Sequence, residues 1–213
     1  MWVMSRKFRL SNDWYACDFK MFKKQNIVLE EGLTVLVGCN GAGKTTLLKQ
    51  IENNLNKNNT PVLCHDNLTN GERALREKSL WTGDLSTLAR TVINSEGENI
   101  VEVMGFVAKK IGQMVRDNPD SKEYWILLDA VDSGLDIDNI NMLKQDLVKF
   151  VLNTESSPER KFYFVISANS YEMARGEKCF GVTDCEYMNF ENYEEYRNFI
   201  IENKRRKDKE IFE

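Results

Sequence analysis

Residues 33–48 read Leu33-Thr34-Val35-Leu36-Val37-Gly38-Cys39-Asn40-Gly41-Ala42-Gly43-Lys44-Thr45-Thr46-Leu47-Leu48. Leu33 to Val37 is an apolar, β-branched run with the composition of a buried strand. It meets Gly38-x-x-x-x-Gly43-Lys44-Thr45, and an apolar helical pattern begins directly after. Strand, glycine loop and helix in that order make a phosphate-binding loop. Along Gly38, Asn40, Gly41, Ala42, Gly43, Lys44, Thr45 and Thr46 the backbone N–H groups are expected to curl around phosphate oxygens. The helix N-terminus adds its partial positive charge. The Lys44 ammonium is expected to reach the β- and γ-phosphates, and the Thr45 hydroxyl to ligate Mg²⁺. The stretch therefore implies a bound nucleoside triphosphate.

Outward from this loop, 213 residues suffice for one domain with a sizeable core, and the chain reads as a single unit over 1–213. A formal net charge of −4 and a pI near 5.3 give no general attraction to nucleic acid or anionic membrane. The exception is the basic run Lys204-Arg205-Arg206-Lys207-Asp208-Lys209, opening a tail over 204–213. Such a run is ordinarily a solvated helix end, because cations suit a helix C-terminus, and it is also the one candidate contact for DNA. Five cysteines without CxxC spacing suit a reducing compartment. No apolar stretch has the length of a membrane span, and Met1 to Lys7 does not read as a signal peptide. The expectation is a cytoplasmic chain with no membrane insertion.

Strand-like and helical patterns alternate along most of the sequence. Residues 6–31 suit two or three antiparallel strands with aromatics at Phe8, Trp14, Tyr15, Phe19 and Phe22. A helix is expected from Thr45 to Leu55, a short strand at 61–64, a weak helix at 72–80 and a loop at Gly83. Ser95-x-x-Glu98 forms a capping box; Ile100, Met104, Val107, Ala108, Ile111, Met114 and Val115 then share one helical face. A strand follows at 124–128, a helix over 136–152, a strand over 161–167 and a final helix over 192–209. This order argues an α/β fold with a mostly parallel central sheet, an N-terminal antiparallel β subdomain and a helical segment.

The second informative stretch is Tyr124-Trp125-Ile126-Leu127-Leu128-Asp129, an apolar strand delivering a carboxylate at its C-terminal end. Downstream of a phosphate loop, such a strand is a Walker B motif, whose Asp129 can hold Mg²⁺ through a water beside the Thr45 hydroxyl.

Asn40 to Leu48, together with Asp129 and Asp132-Ser133-Gly134-Leu135-Asp136, resembles an ATP-binding-cassette (ABC) type ATPase of the P-loop NTPase class. The second element resembles that family's D-loop. Glu31 to Gly38 is more like the branch of SMC-like DNA-repair ATPases and stand-alone ATP-binding proteins than like transporter cassettes. The resemblance implies ATP and Mg²⁺ as ligands and an ATP-dependent homodimer. It also implies a signature segment before the long helix, which Asn94-Ser95-Glu96-Gly97-Glu98 resembles. Ser95, Gly97 and Glu98 would there meet the γ-phosphate presented by a second copy. Trp14 or Tyr15 lies where the family places a base-stacking aromatic, although an aromatic of the strand core is the simpler reading.

Three departures bear on catalysis. The family's glutamate after the Walker B aspartate is Ala130 here. The switch histidine position falls at or near Asn169. No glutamine lies between Ile51 and Asn94, and the one histidine, His65, does not align with a catalytic role. Losing a positioned general base costs about 10²–10⁴ in rate. With Lys44, Thr45 and Asp129 intact, slow hydrolysis is expected, with Asp132 or the partner's Glu98 orienting water; Lys44, Asp129, Asp132 and Asn169 are the candidate catalytic residues. The partner class stays open between DNA and a protein. The alternatives are a non-hydrolysing ATP sensor in a multi-protein system, a transporter nucleotide-binding subunit and a small P-loop kinase.

Overall fold

Two strand patterns with different surroundings build this molecule. The computed structural model describes residues 5–12, 21–66, 96–133 and 135–212, with side chains for all of these except 96–103 and 210–212. Trp14, Tyr15, the helix expected at 72–80, the loop at Gly83, Ser95 and Gly134 lie outside the described residues.

Strands β1 (Ser5–Arg9) and β2 (Asn26–Glu30) pair antiparallel as a separate two-stranded sheet. Phe8, Ile27 and Leu29 are buried between exposed neighbours, the alternation of a sheet wet on one face. The central sheet has six strands: β3 (Gly32–Val37), β4 (Val62–Asp66), β5 (Glu123–Asp129), β6 (Lys161–Ser167), β7 (Cys179–Gly181) and β8 (Glu186–Met188). Their order is β4-β5-β6-β3-β7-β8, parallel throughout except for the β7–β8 pair. The expected α/β class, with its mostly parallel sheet and small antiparallel sheet, is the fold observed.

The near-continuous apolar runs of β5 and β6 follow from cover on both faces. On one face Tyr124, Ile126, Leu128, Phe162, Phe164 and Ile166 pack with Val107 and Ile111 of α2 (Glu96–Asp117). Ala108, expected on that helix face, is exposed, because it sits about 100° around from Val107, at the rim of the apolar stripe. On the other face Trp125, Leu127, Tyr163 and Val165 meet Leu47, Leu48, Ile51 and Leu55 of α1 (Lys44–Lys57), capped beyond by Phe8 and Leu29. Trp125 and Tyr163 stack with ring centroids 4.1 Å apart.

The single helix expected over 136–152 is a composite. Asp136 caps α3 (Ile137–Met142) by accepting the Asn139 N–H at 2.8 Å. The next residues, Leu143–Lys149, form π-helical turns before α4 (Phe150–Thr154). Within those turns Lys144 is buried. Its Nζ donates to the carbonyls of Glu172 (3.1 Å) and Arg175 (2.8 Å) and lies 3.2 Å from Glu177 Oε1. Lys144 thus ties this helix to α5 (Tyr171–Ala174) and the chain that follows β6. Lys144→Ala would strand the Glu177 carboxylate, and a loss of roughly 3 kcal/mol is expected in urea denaturation, less for Lys144→Met.

The last helix, α6 (Tyr193–Phe212), begins where Asn192 Oδ1 accepts the Glu195 N–H at 3.0 Å. β7, β8 and α5, each three or four residues long, had no counterpart in the sequence pattern. Segments that short contain no full period.

Candidate functional site

Sheet order decides what lies beside the glycine loop. β6 stands between β3 and β5, with Leu36 opposite Ser167 and Leu128 opposite Ile166. The C-terminal ends of the three strands therefore present the loop, Ser167 and Asp129 in sequence along one edge, where open α/β sheets place their ligand crevice. A cleft of about 370 Å³ opens there. Asn40, Gly41, Gly43, Lys44, Thr45 and Thr46 line it from the loop side; Asp129, Ala130, Ser167 and Asn169 line it from the other strand ends, with Met21 at the rim.

The loop closes on itself through the Ala42 N–H, which donates to the Cys39 carbonyl at 3.0 Å. Gly43 suits its position because its φ is +94°, and a Cβ there would also push the flexible Met21 side chain aside. Lys44 Nζ curls back to donate to the carbonyl of Gly38 at 2.8 Å and touches that of Cys39 at 3.5 Å. Burial pulls the Lys44 ammonium below its ordinary pKa, opposed by Cys39, Asp132 and Asp129.

Across the cleft, Ser167 is fully buried and bonded in both directions. Its hydroxyl donates to Asp129 Oδ1, and its oxygen accepts the Ala130 N–H at 2.7 Å. Ala130 has φ +52°, a left-handed conformation that costs a residue with a Cβ about 1–2 kcal/mol. The serine bridge holds that turn in place while it fixes the Asp129 carboxylate. Ser167→Ala is expected to cost about 1–3 kcal/mol in urea denaturation, since it takes this partner from the buried Asp129 carboxylate and from the half-buried Ala130 N–H.

Asp132 lies behind the cleft rather than in it. Its buried Oδ2 accepts the N–H groups of Asn169 and Ser170, each at 2.7 Å. Asn169 in turn donates from Nδ2 to Ser133 Oγ at 3.2 Å, and its carbonyl accepts the Tyr196 hydroxyl at 3.2 Å. Of the four residues expected in catalysis, Lys44, Asp129 and Asn169 thus share one cleft, and Asp132 shapes the turn that carries Asn169. Gly38 and Ala42 are buried in the loop without lining the cleft. Gly97 and Glu98 lie in the first turn of α2. His65 is buried on β4, opposite Leu128, with burial lowering its pKa.

Ser167 escaped the sequence reading because an apolar strand ending in serine carries no motif. Its significance comes from β6 lying between the loop strand and the Asp129 strand, an order that the chain does not spell out. Met21 had no signal at all.

A glycine loop between a parallel strand and a helix, faced by a buried carboxylate at the end of a second parallel strand, defines a P-loop nucleotide-binding ATPase. The family model for the AAA ATPase domain matches residues 15–213, and the chain belongs to that family. No curated protein matches it. Membership brings nucleotide binding and ATPase activity in general, usually with Mg²⁺. Among the described residues no helix is long and apolar enough to cross a membrane.

Proposed function

We propose that the chain is an ABC-type ATPase, nearer to the SMC-like and stand-alone branch than to transporter cassettes. It binds Mg-ATP in this cleft, closes head-to-tail on a second copy and turns ATP over slowly. The observation that carries the proposal is the meeting of Lys44, Thr45, Asp129 and Asn169 around one cleft. Backbone amides, the Lys44 ammonium, the Thr45 hydroxyl and the buried Asp129 carboxylate suit a triphosphate with a hard cation. Mg²⁺ is usually held by one or two carboxylates together with substrate phosphates, rather than by a cage of protein ligands.

The roles follow from chemistry and placement. The loop amides from Gly38 to Thr46 take the phosphates, Lys44 neutralises the β/γ charge, and Thr45 and Asp129 hold the ion. Bound Mg²⁺ would withdraw charge from the transferred phosphoryl group. Ala130 lines the cleft where the family has glutamate, and a methyl group takes no proton from water, which supports slow turnover. Asn169, whose N–H is held by Asp132, brings an amide to the cleft, and Asp132 or Glu98 of the second copy is proposed to orient that water. Ser95, together with Gly97 and Glu98 of the first turn of α2, is proposed to face the partner's γ-phosphate. Residues 1–213 act as one ATP-binding unit, placed in the cytoplasm.

Action on DNA or on a partner protein is the outermost part of the proposal. Lys204 and Arg205 of the basic run are exposed on α6. If DNA is the partner, Lys204→Ala with Arg205→Ala should lower affinity and flatten its salt dependence by about two counterions; a wild type with no salt slope removes DNA.

A second reading, an ATP-binding sensor without turnover, draws on Ala130 alone. Light scattering with and without Mg-ATP tests the dimer: the mass should double with nucleotide and stay monomeric in Lys44→Met. A mass unchanged by saturating nucleotide contradicts the sandwich. Single-turnover phosphate release at the Lys44→Met level would leave the sensor.

A further inference from the structure

Within the exposed basic run on α6, Lys207 is half-buried. Lys207 Nζ donates to the carbonyl of Asn40, at the crest of the glycine loop, at 3.1 Å. A Cβ on Gly41 would lie 2.3 Å from that same nitrogen, and Gly41 has φ +73°, so the loop admits the ammonium because a glycine stands there. One residue earlier, Arg206 donates from both guanidinium nitrogens to Asp184, at 3.1 and 3.3 Å, and Asp184 also receives Lys23 at 2.6 Å. Burial pushes the Asp184 carboxyl up, but those two cations outweigh it and hold its pKa below the ordinary value. This cluster anchors α6 to the β7–β8 connection and so aims Lys207 at the loop.

Gly41 lines two cavities. One is the cleft described above; the other lies on the α6 side, between Cys39, Ala42, Arg206 and Lys207. Lys207 borders only the second. The peptide unit joining Asn40 to Gly41 is trans, so its C=O and N–H point in opposite directions. A cation on the carbonyl oxygen fixes that direction and polarises the unit, making its N–H a stronger donor.

We propose that Lys207 is a positioning residue for nucleotide binding: by holding the Asn40 carbonyl on the α6 side, it turns the Gly41 N–H toward the cleft to receive a phosphate oxygen. The proposal rests on the reading of the cleft as a triphosphate site. α6 is then a strap that presets the loop, which makes the later turns of that helix part of the nucleotide site.

Two measurements test it: calorimetric titration with Mg-ATP, and the alkylation rate of Cys39 in protein without nucleotide, read by peptide mass spectrometry. Cys39 is 4% exposed and borders the α6-side cavity, so it reports on the strap alone. Lys207→Met is expected to weaken Mg-ATP binding about tenfold and to speed Cys39 alkylation. Lys207→Arg should restore both. Lys204→Ala, which removes the same charge from an exposed position of the same helix, should change affinity less than about twofold. Wild-type affinity in Lys207→Met overturns the proposal, even if alkylation rises, because the contact is then packing alone. An equal loss in Lys204→Ala overturns it too, since general charge then suffices. A wild type that binds no Mg-ATP overturns the cleft reading and the proposal with it.

Discussion

Lys44→Met is expected to reduce Mg-ATP affinity by about a hundredfold or more and to bring ATP hydrolysis to background, while the protein stays folded. Charge-assisted hydrogen bonds between an ammonium and phosphate oxygens are the strongest polar contacts the cleft can offer, and each contributes about 1.5–3 kcal/mol. That ammonium donates to the carbonyl of Gly38 and touches that of Cys39. Its burial lowers its pKa, so the unfolded chain binds the proton more tightly. Stability should therefore rise with pH through the window just below the ordinary lysine value of about 10.4. Lys44→Met should remove that rise and leave the melting temperature at neutral pH equal or higher. A fluorescent nucleotide titration beside a melting curve separates the two effects. Unchanged nucleotide affinity would mean that Lys44 does not meet the phosphates.

Asp129→Asn is the second large effect. The amide oxygen still accepts from the Ser167 hydroxyl, so the buried bridge to the Ala130 N–H survives. The negative charge that a divalent cation needs is gone. Hydrolysis should fall by about 10²–10³, the scale of losing one electrostatic support of a transition state. The gain in ATP affinity on adding Mg²⁺ should vanish, while Mg-free ATP binds as in the wild type. A variant that still responds to Mg²⁺ as the wild type does would place the ion elsewhere.

What the sequence disclosed and what it hid divide along physical lines. The loop strand, the helix after it and the strand ending at Asp129 were legible because each is a long apolar run or a local motif. Their neighbourhood was not. That β6 intervenes between β3 and β5, and so puts Ser167 against Asp129, is a matter of sheet order, which depends on contacts far apart in sequence. The same holds for Lys207, 167 residues beyond the carbonyl it meets: the composition of α6 suggested a solvated end. Asp132 looked like a candidate to orient water, and only its bonds to the Asn169 and Ser170 amides show what it holds. Ala130 was read as a missing carboxylate; its left-handed backbone and its tie to Ser167 belong to the folded turn.

The most direct test of the central claim is a calorimetric titration of the wild-type chain with ATP, with and without Mg²⁺. One saturable site per chain is expected, tighter with the ion present. No saturable heat for any nucleoside triphosphate with Mg²⁺ would contradict the account at its root, because the loop at 38–46 and the carboxylate of Asp129 would then grip nothing.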